Sequence, residues 1–289
     1  MVAASLPRLG HALRDAADLR KFSASLGVFF KIPDQGMKDY NILARATTTP
    51  VLEGNGKNSR LRFLAPAHTV SPWKFPHFYP ADWLSYVNET HVKYFMELRE
   101  STGGAVLTSY ELAKPVLHPT RDLAALQFFR EDDAIDDMKR RGLPFLPLKL
   151  RDRPLEIRET VRVVGYEVIE TRKSSYSSEG NKNDSVSSGA DVDSEKGNDP
   201  KMLMVNTLGG LTARTQHQAF LWTEAELNPG MCGSALVDEA LECCGCVEGV
   251  VPMKPPEEKV SEAYRLVEGN ACFIESPDIL LFLQQIQLK

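Results

Sequence analysis

The chain has 289 residues, enough for two lobes with cores of their own, and its 43% hydrophobic and 25% charged content is that of a globular protein. A formal net charge of -5 gives no support to a nucleic-acid partner, and no apolar run reaches the roughly 18 residues of a membrane-spanning helix. All five cysteines (Cys232, Cys243, Cys244, Cys246 and Cys272) fall in the last fifth of the chain, an odd set that suits a reducing, intracellular compartment better than a disulfide framework.

In chain order, residues 1–25 come first. Leu6, Leu9, Leu13, Ala16 and Ala17 follow a helical period, with Arg8, Arg14, Arg20 and Lys21 among them. This reads as an N-terminal helix packed on the domain or as a targeting segment for a mitochondrion or plastid. Asp15 and Asp18 count against the second reading.

Short strand candidates follow at VFFKI, YNILARATT, RLRFLA, GAVLTSYEL and AALQFF, punctuated by Pro and Gly. ETHVKYFMELRE reads equally as helix or strand. The acid run EDDAIDD at 131–137, followed by Lys139, Arg140 and Arg141, reads as a solvated loop between lobes.

LEIRETVRVVGYEVIE alternates, with Val161, Val163, Tyr166 and Val168 as core positions. Residues 171–200 hold eight serines and four apolar residues, too little to repay the entropy of ordering, and read as a disordered loop between two strands of one unit. MLMVNTLGGLTAR and QHQAFLW resume the strand pattern. Near the C-terminus Ser276 can cap a helix, Pro277 suits its first position, and Ile279, Leu280, Phe282, Leu283 and Ile286 form its apolar face. Many short, closely spaced strands imply a sandwich or barrel.

Three segments could carry chemistry. In PGMCGSALVD, Gly230 and Gly233 bracket Cys232 and let the backbone turn tightly around a nucleophile. In FLAPAHTV, His68 follows a strand end, where an imidazole can act as a general base. In LHPTRDLAAL, Asp122 precedes an apolar run, where a carboxylate can fix a histidine tautomer. Alone, each has an ordinary explanation: a small buried thiol, a loop histidine, a turn aspartate.

Their order, His68, Asp122, Cys232, resembles that of chymotrypsin-like peptidases. APAHTV resembles the histidine motif of that family. HPTRDLAAL resembles the aspartate motif, its preceding His-Pro included. PGMCGSALV resembles the nucleophile motif with cysteine for serine, as in the picornavirus-type enzymes of the same fold.

The resemblance implies an all-β fold of two six-stranded antiparallel β-barrels of chymotrypsin type with a C-terminal helix. Residues 26–150 would form the first barrel, and residues 151–289 the second barrel and helix. Cys232 would be the nucleophile, His68 its base, Asp122 the residue orienting His68, and the Gly230 and Cys232 amides the oxyanion hole. The substrate would be a polypeptide cleaved through a thioester acyl-enzyme, without a cofactor. The alternative is an inactive member of the fold serving as a scaffold or a subunit of an assembly.

Departures bear on this. Met231 stands where serine members keep the acid that pairs with a cut N-terminus, and Thr69 stands where a disulfide cysteine often follows the histidine. Glu226, six residues before Cys232, falls where the family floors its first specificity pocket, unless it is a solvated loop acid. Lys254 would crowd that pocket. CGCVEGVVPM has no histidine to read glutamine. CCGC at 243–246 lacks zinc-ribbon spacing, so no metal is expected.

Overall fold

The computed structural model describes residues 19–54, 59–100, 104–143, 145–169, 201–216, 218–255 and 257–287. The expected N-terminal segment, apart from its last residues, and the expected disordered loop at 171–200 lie outside the described residues.

The first half of the chain forms β1 (Ala24–Phe30), β2 (Asn41–Glu53), β3 (Arg60–Ala65), β4 (Val92–Arg99), β5 (Val106–Leu112), β6 (Val116–Leu117) and β7 (Ala124–Leu126). Their spatial order is β5-β4-β1-β2-β3-β7-β6, all antiparallel. The end of β5 returns to the far side of this sheet through a bridge between Leu112 and Phe128. Amides of Ala113 and Phe129 donate across it to Gln127 and Glu111. ETHVKYFMELRE resolves as strand β4, because Val92, Tyr94, Met96 and Leu98 alternate into the core.

The second half closes completely. β9 (Thr160–Ile169), β10 (Lys201–Arg214), β11 (Ala219–Thr223), β14 (Ala271–Glu275), β13 (Glu242–Val250) and β12 (Ala235–Val237) pair in that order, and β12 pairs back to β9. This closed six-strand barrel leaves no free edge among its members. Val161, Val163, Leu221, Leu236 and Phe273 fill it. A short strand, β8 (Leu148–Leu150), lies parallel to both β2 and β13 and joins the two sheets.

Four α-helices are described. The single turn α1 (Ala67–Val70) carries His68. EDDAIDDMKRR, expected as a loop, is instead helix α2 (Glu131–Arg141). The reason is legible afterwards. Three acids occupy its first turn, three bases its last, Ala134 and Met138 face the core four residues apart, and Gly142 closes the end with φ 63°. The third is α3 (Glu262–Val267).

The fourth, α4 (Ser276–Gln287), docks Ile279, Phe282 and Leu283 against Val51, Leu148, Cys243 and Ile274 between the two sheets. Each such side chain contributes about 1.5–3 kcal/mol of burial. Ser276 is itself helical, and its buried Oγ has no hydrogen-bond partner among the described residues. The helix starts because β14 runs straight into it, not because Ser276 caps it. No described helix is long and apolar enough to cross a membrane.

Candidate active site

The nucleophile candidate sits on the turn between β11 and β12, and the strand β2 of the other sheet holds that turn. The Thr47 amide donates to the carbonyls of Gly230 (2.9 Å) and Cys232 (3.1 Å). Thr47 Oγ1 donates to Gly230 O at 2.9 Å and accepts from the Tyr166 amide at 2.7 Å. Thr49 Oγ1 donates to Gly233 O at 2.8 Å.

The two glycines are required by this grip. Gly230 has φ 98° and Gly233 φ 90°, and a Cβ at Gly233 would lie 2.1 Å from Thr47 O. Met231 is buried in the barrel core, so it cannot serve as the acid-for-serine position does in a trypsin-style activation pair. Among the described residues, neither the Gly230 nor the Cys232 amide has a hydrogen-bond acceptor. These are the two donors expected to serve an oxyanion.

His68 is held from the opposite wall. Its main-chain amide donates to Asp122 Oδ1 at 2.8 Å, and its ring Nδ1 is hydrogen-bonded to Asp122 Oδ2. Cys232 lines the same cleft as the ring. Burial pulls the imidazolium down, but the hydrogen bond to Asp122, the proximity of Cys232 and the charges of both outweigh it and raise the His68 pKa to about 9. Phe78, Phe75 and Tyr79 pack round the ring, with the Phe78 centroid 5.2 Å away. Burial first, then the Cys232 charge, push the Tyr79 hydroxyl up to about 12.

Asp122 closes a short loop. The His118 amide donates to Leu123 O at 2.8 Å, while His118 Nδ1 accepts from the amides of Thr120 (3.1 Å) and Arg121 (3.0 Å). Arg121 reaches Glu248 of β13 at 3.5 Å and Asp278 of α4 at 3.6 Å, and Gln218 donates to Glu248 at 3.2 Å. Burial raises the Glu248 carboxyl pKa against the pull of Arg121.

His68, Asp122 and Cys232 thus come together in one cleft of about 690 Å³ between the two sheets, with His118, Arg121, Glu248 and Cys272 also in its wall. Glu226 and Lys254 are elsewhere. Glu226 is exposed on the loop after β11, and Lys254 pairs with Glu258 at 3.2 Å; neither lines the cleft. Thr47, Thr49 and the aromatic residues around His68 went unnoticed in the sequence, and His118 stood out only as part of the aspartate motif. Only the run Thr47–Thr49 and the dense aromatics after His68 could have signalled them.

The other thiols are separated. Cys243 and Cys246 face the core under α4, Cys244 faces the barrel interior, and Cys272 lines the cleft. Burial raises the pKa of all four, Cys244 and Cys272 to about 12. No cluster of three or more metal-ligating side chains occurs among the described residues.

Comparison with curated proteins returns no match. A model of the trypsin-like peptidase domain matches residues 88–245, just over half of the chain, a span containing Asp122 and Cys232 and beginning after His68. With a closed β-barrel, a C-terminal helix and this match, the chain belongs to the trypsin-like peptidase domain family.

Proposed function

We propose that the protein is a cysteine endopeptidase that cleaves polypeptides through a thioester acyl-enzyme. The observation that carries the reading is the meeting of His68, Asp122 and Cys232 in one cleft, with the His68 ring hydrogen-bonded to Asp122. In this reading the N-terminal sheet, joined at Leu112 and Phe128, is a second barrel, giving two barrels over residues 26–150 and 151–289.

The chemistry follows from the contacts. Cys232 Sγ attacks the scissile carbonyl as thiolate beside the His68 imidazolium. Charge developing on the carbonyl oxygen is met by the Gly230 and Cys232 amides. His68 then gives its proton to the departing amine, and the C–N bond breaks. Water, activated by the now neutral imidazole, releases the acid and regenerates the thiol. Asp122 keeps Nε2 aimed at these groups by holding Nδ1. Such chemistry needs reduced Cys232, which suits a reducing compartment.

Selective alkylation tests the reading. Iodoacetamide at neutral pH should modify Cys232 first, and His68→Ala should slow that reaction by about 10²-fold or more. Peptide-library cleavage should vanish in Cys232→Ala. Uniform labelling of all five thiols, unaffected by His68→Ala, would instead favour an inactive member of the fold acting as a scaffold.

A further inference from the structure

The segment after His68 folds into two 3-10 turns, Pro72–Lys74 and Asp82–Tyr86, rather than running directly into β4. It builds a groove of about 360 Å³ lined by Leu43, Pro72, Phe78, Tyr79, Trp83 and Leu84, among other apolar residues and none that is charged. Phe78 lines this groove and the catalytic cleft alike, so the two are continuous around one ring.

We infer that this groove receives a large apolar side chain from the leaving-group side of the scissile bond. The inference rests on the peptidase reading. His68 must stand beside the nitrogen it protonates, so the residues following that nitrogen leave the cleft on the His68 side. Phe78 covers that side, with its ring centroid 5.2 Å from the imidazole. An extended chain advances about 3.3–3.6 Å per residue, so the first two or three residues after the bond pass over Phe78 into the groove.

The groove is built and incompletely covered. Trp83 stacks on Phe30 of β1 with centroids 5.1 Å apart, which fixes its wall. Phe78 and Trp83 nevertheless remain 55% and 45% exposed. Rigid aromatic surface left in water and continuous with a reactive cleft favours an apolar occupant arriving with the substrate.

Acyl transfer reads this side of the site alone. A small thioester donor acylates Cys232, and the acyl-enzyme partitions between water and added dipeptide amides. The attacking amine forms a C–N bond as the C–S bond breaks, the proton of the amine passes to His68, and Cys232 leaves as thiolate. Glycyl-leucine and leucyl-leucine amides should capture the acyl group at least about tenfold better than glycyl-aspartate amide. Trp83→Ala should reduce that preference to about twofold. Leu43→Glu, a second variant at the rim, should shift capture toward lysine-containing amides.

Intact, Cys232-dependent donor hydrolysis with no preference among amides would overturn the inference and leave the peptidase reading standing. Absence of Cys232-dependent hydrolysis would sink both. An oligomer lost in Trp83→Ala without any change in partitioning would make the groove a contact between copies of this chain and would equally overturn it.

Discussion

Asp122 holds His68 at two points, accepting from the main-chain amide through Oδ1 and binding the ring through Oδ2. One carboxylate therefore fixes both the position of the α1 turn and the tautomer of the ring it carries. The sequence separates these residues by 54 positions, and the fold joins them through β3 pairing with β7.

The first prediction concerns that ring. Its pKa is raised from 6.5 to about 9, so the folded state holds the imidazolium more tightly than the unfolded chain does. The resulting stabilisation should be complete below pH 6.5, decline between pH 6.5 and 9, and be absent above about 9. Urea unfolding of wild type and His68→Gln at pH 6, 8 and 10 should show the difference between them shrinking. In NMR, Asp122→Asn should move the His68 midpoint downward, and peptide cleavage should slow by about 10²-fold. An unmoved midpoint would mean that the carboxylate does not hold the proton.

Thr47 offers a second test. It bonds Gly230, Cys232 and Tyr166 from the opposite sheet, and it is fully buried. Thr47→Val keeps the shape and removes the hydroxyl, leaving the Tyr166 amide without that acceptor. The expected loss is about 1–3 kcal/mol in urea unfolding, with slower acylation of Cys232. Thr47→Ser should recover most of both. Acylation at the wild-type rate in Thr47→Val would show that the grip on the nucleophile turn is redundant.

A third prediction concerns the N-terminal sheet and not the chemistry. Glu97 on β4 is buried between Arg99, at 2.7 Å, and Arg45, and Arg99 also donates to Ser25 Oγ at 2.7 Å. Removing the acid leaves two buried cations facing each other. Glu97→Ala should destabilise the protein by about 3–5 kcal/mol, read as a lower urea midpoint. Loss below about 1 kcal/mol would mean that water or the remaining partners reach the guanidinium groups.

Much of this arrangement was legible in the sequence, for identifiable reasons. Strands such as β3 and β9 announce themselves because alternate residues face a core. The Gly-Met-Cys-Gly turn does so because positive φ demands glycine at Gly230 and Gly233. Helix α2 was misread because its high charge masks a narrow apolar face of Ala134 and Met138. The cross-sheet role of Thr47 was invisible, since nothing local tells which carbonyl a threonine will meet 183 residues away. Glu226 stands six residues before Cys232, but that spacing alone does not bring an exposed loop residue into the cleft wall.

His118 carries the last prediction. Its unprotonated Nδ1 accepts two amides of the loop that presents Asp122, much as an asparagine side chain closes a turn. Burial first, then Arg121, lower its pKa, while Asp278 opposes them. The facing groups are Arg121 on the loop and Asp278 on α4, whose Phe282 ring lies 4.9 Å away; Glu248 of β13 meets Arg121 from the other side. A proton on Nδ1 would abolish both acceptances. Because the folded state favours the neutral ring, this support is complete above pH 6.5 and fades as pH falls below it. His118→Asn should therefore retain activity and flatten the acid limb of the pH profile. His118→Leu should lose about tenfold or more at every pH through a misplaced Asp122. If His118→Asn and His118→Leu behave alike, the ring acts by packing on Phe282 and not by accepting hydrogen bonds.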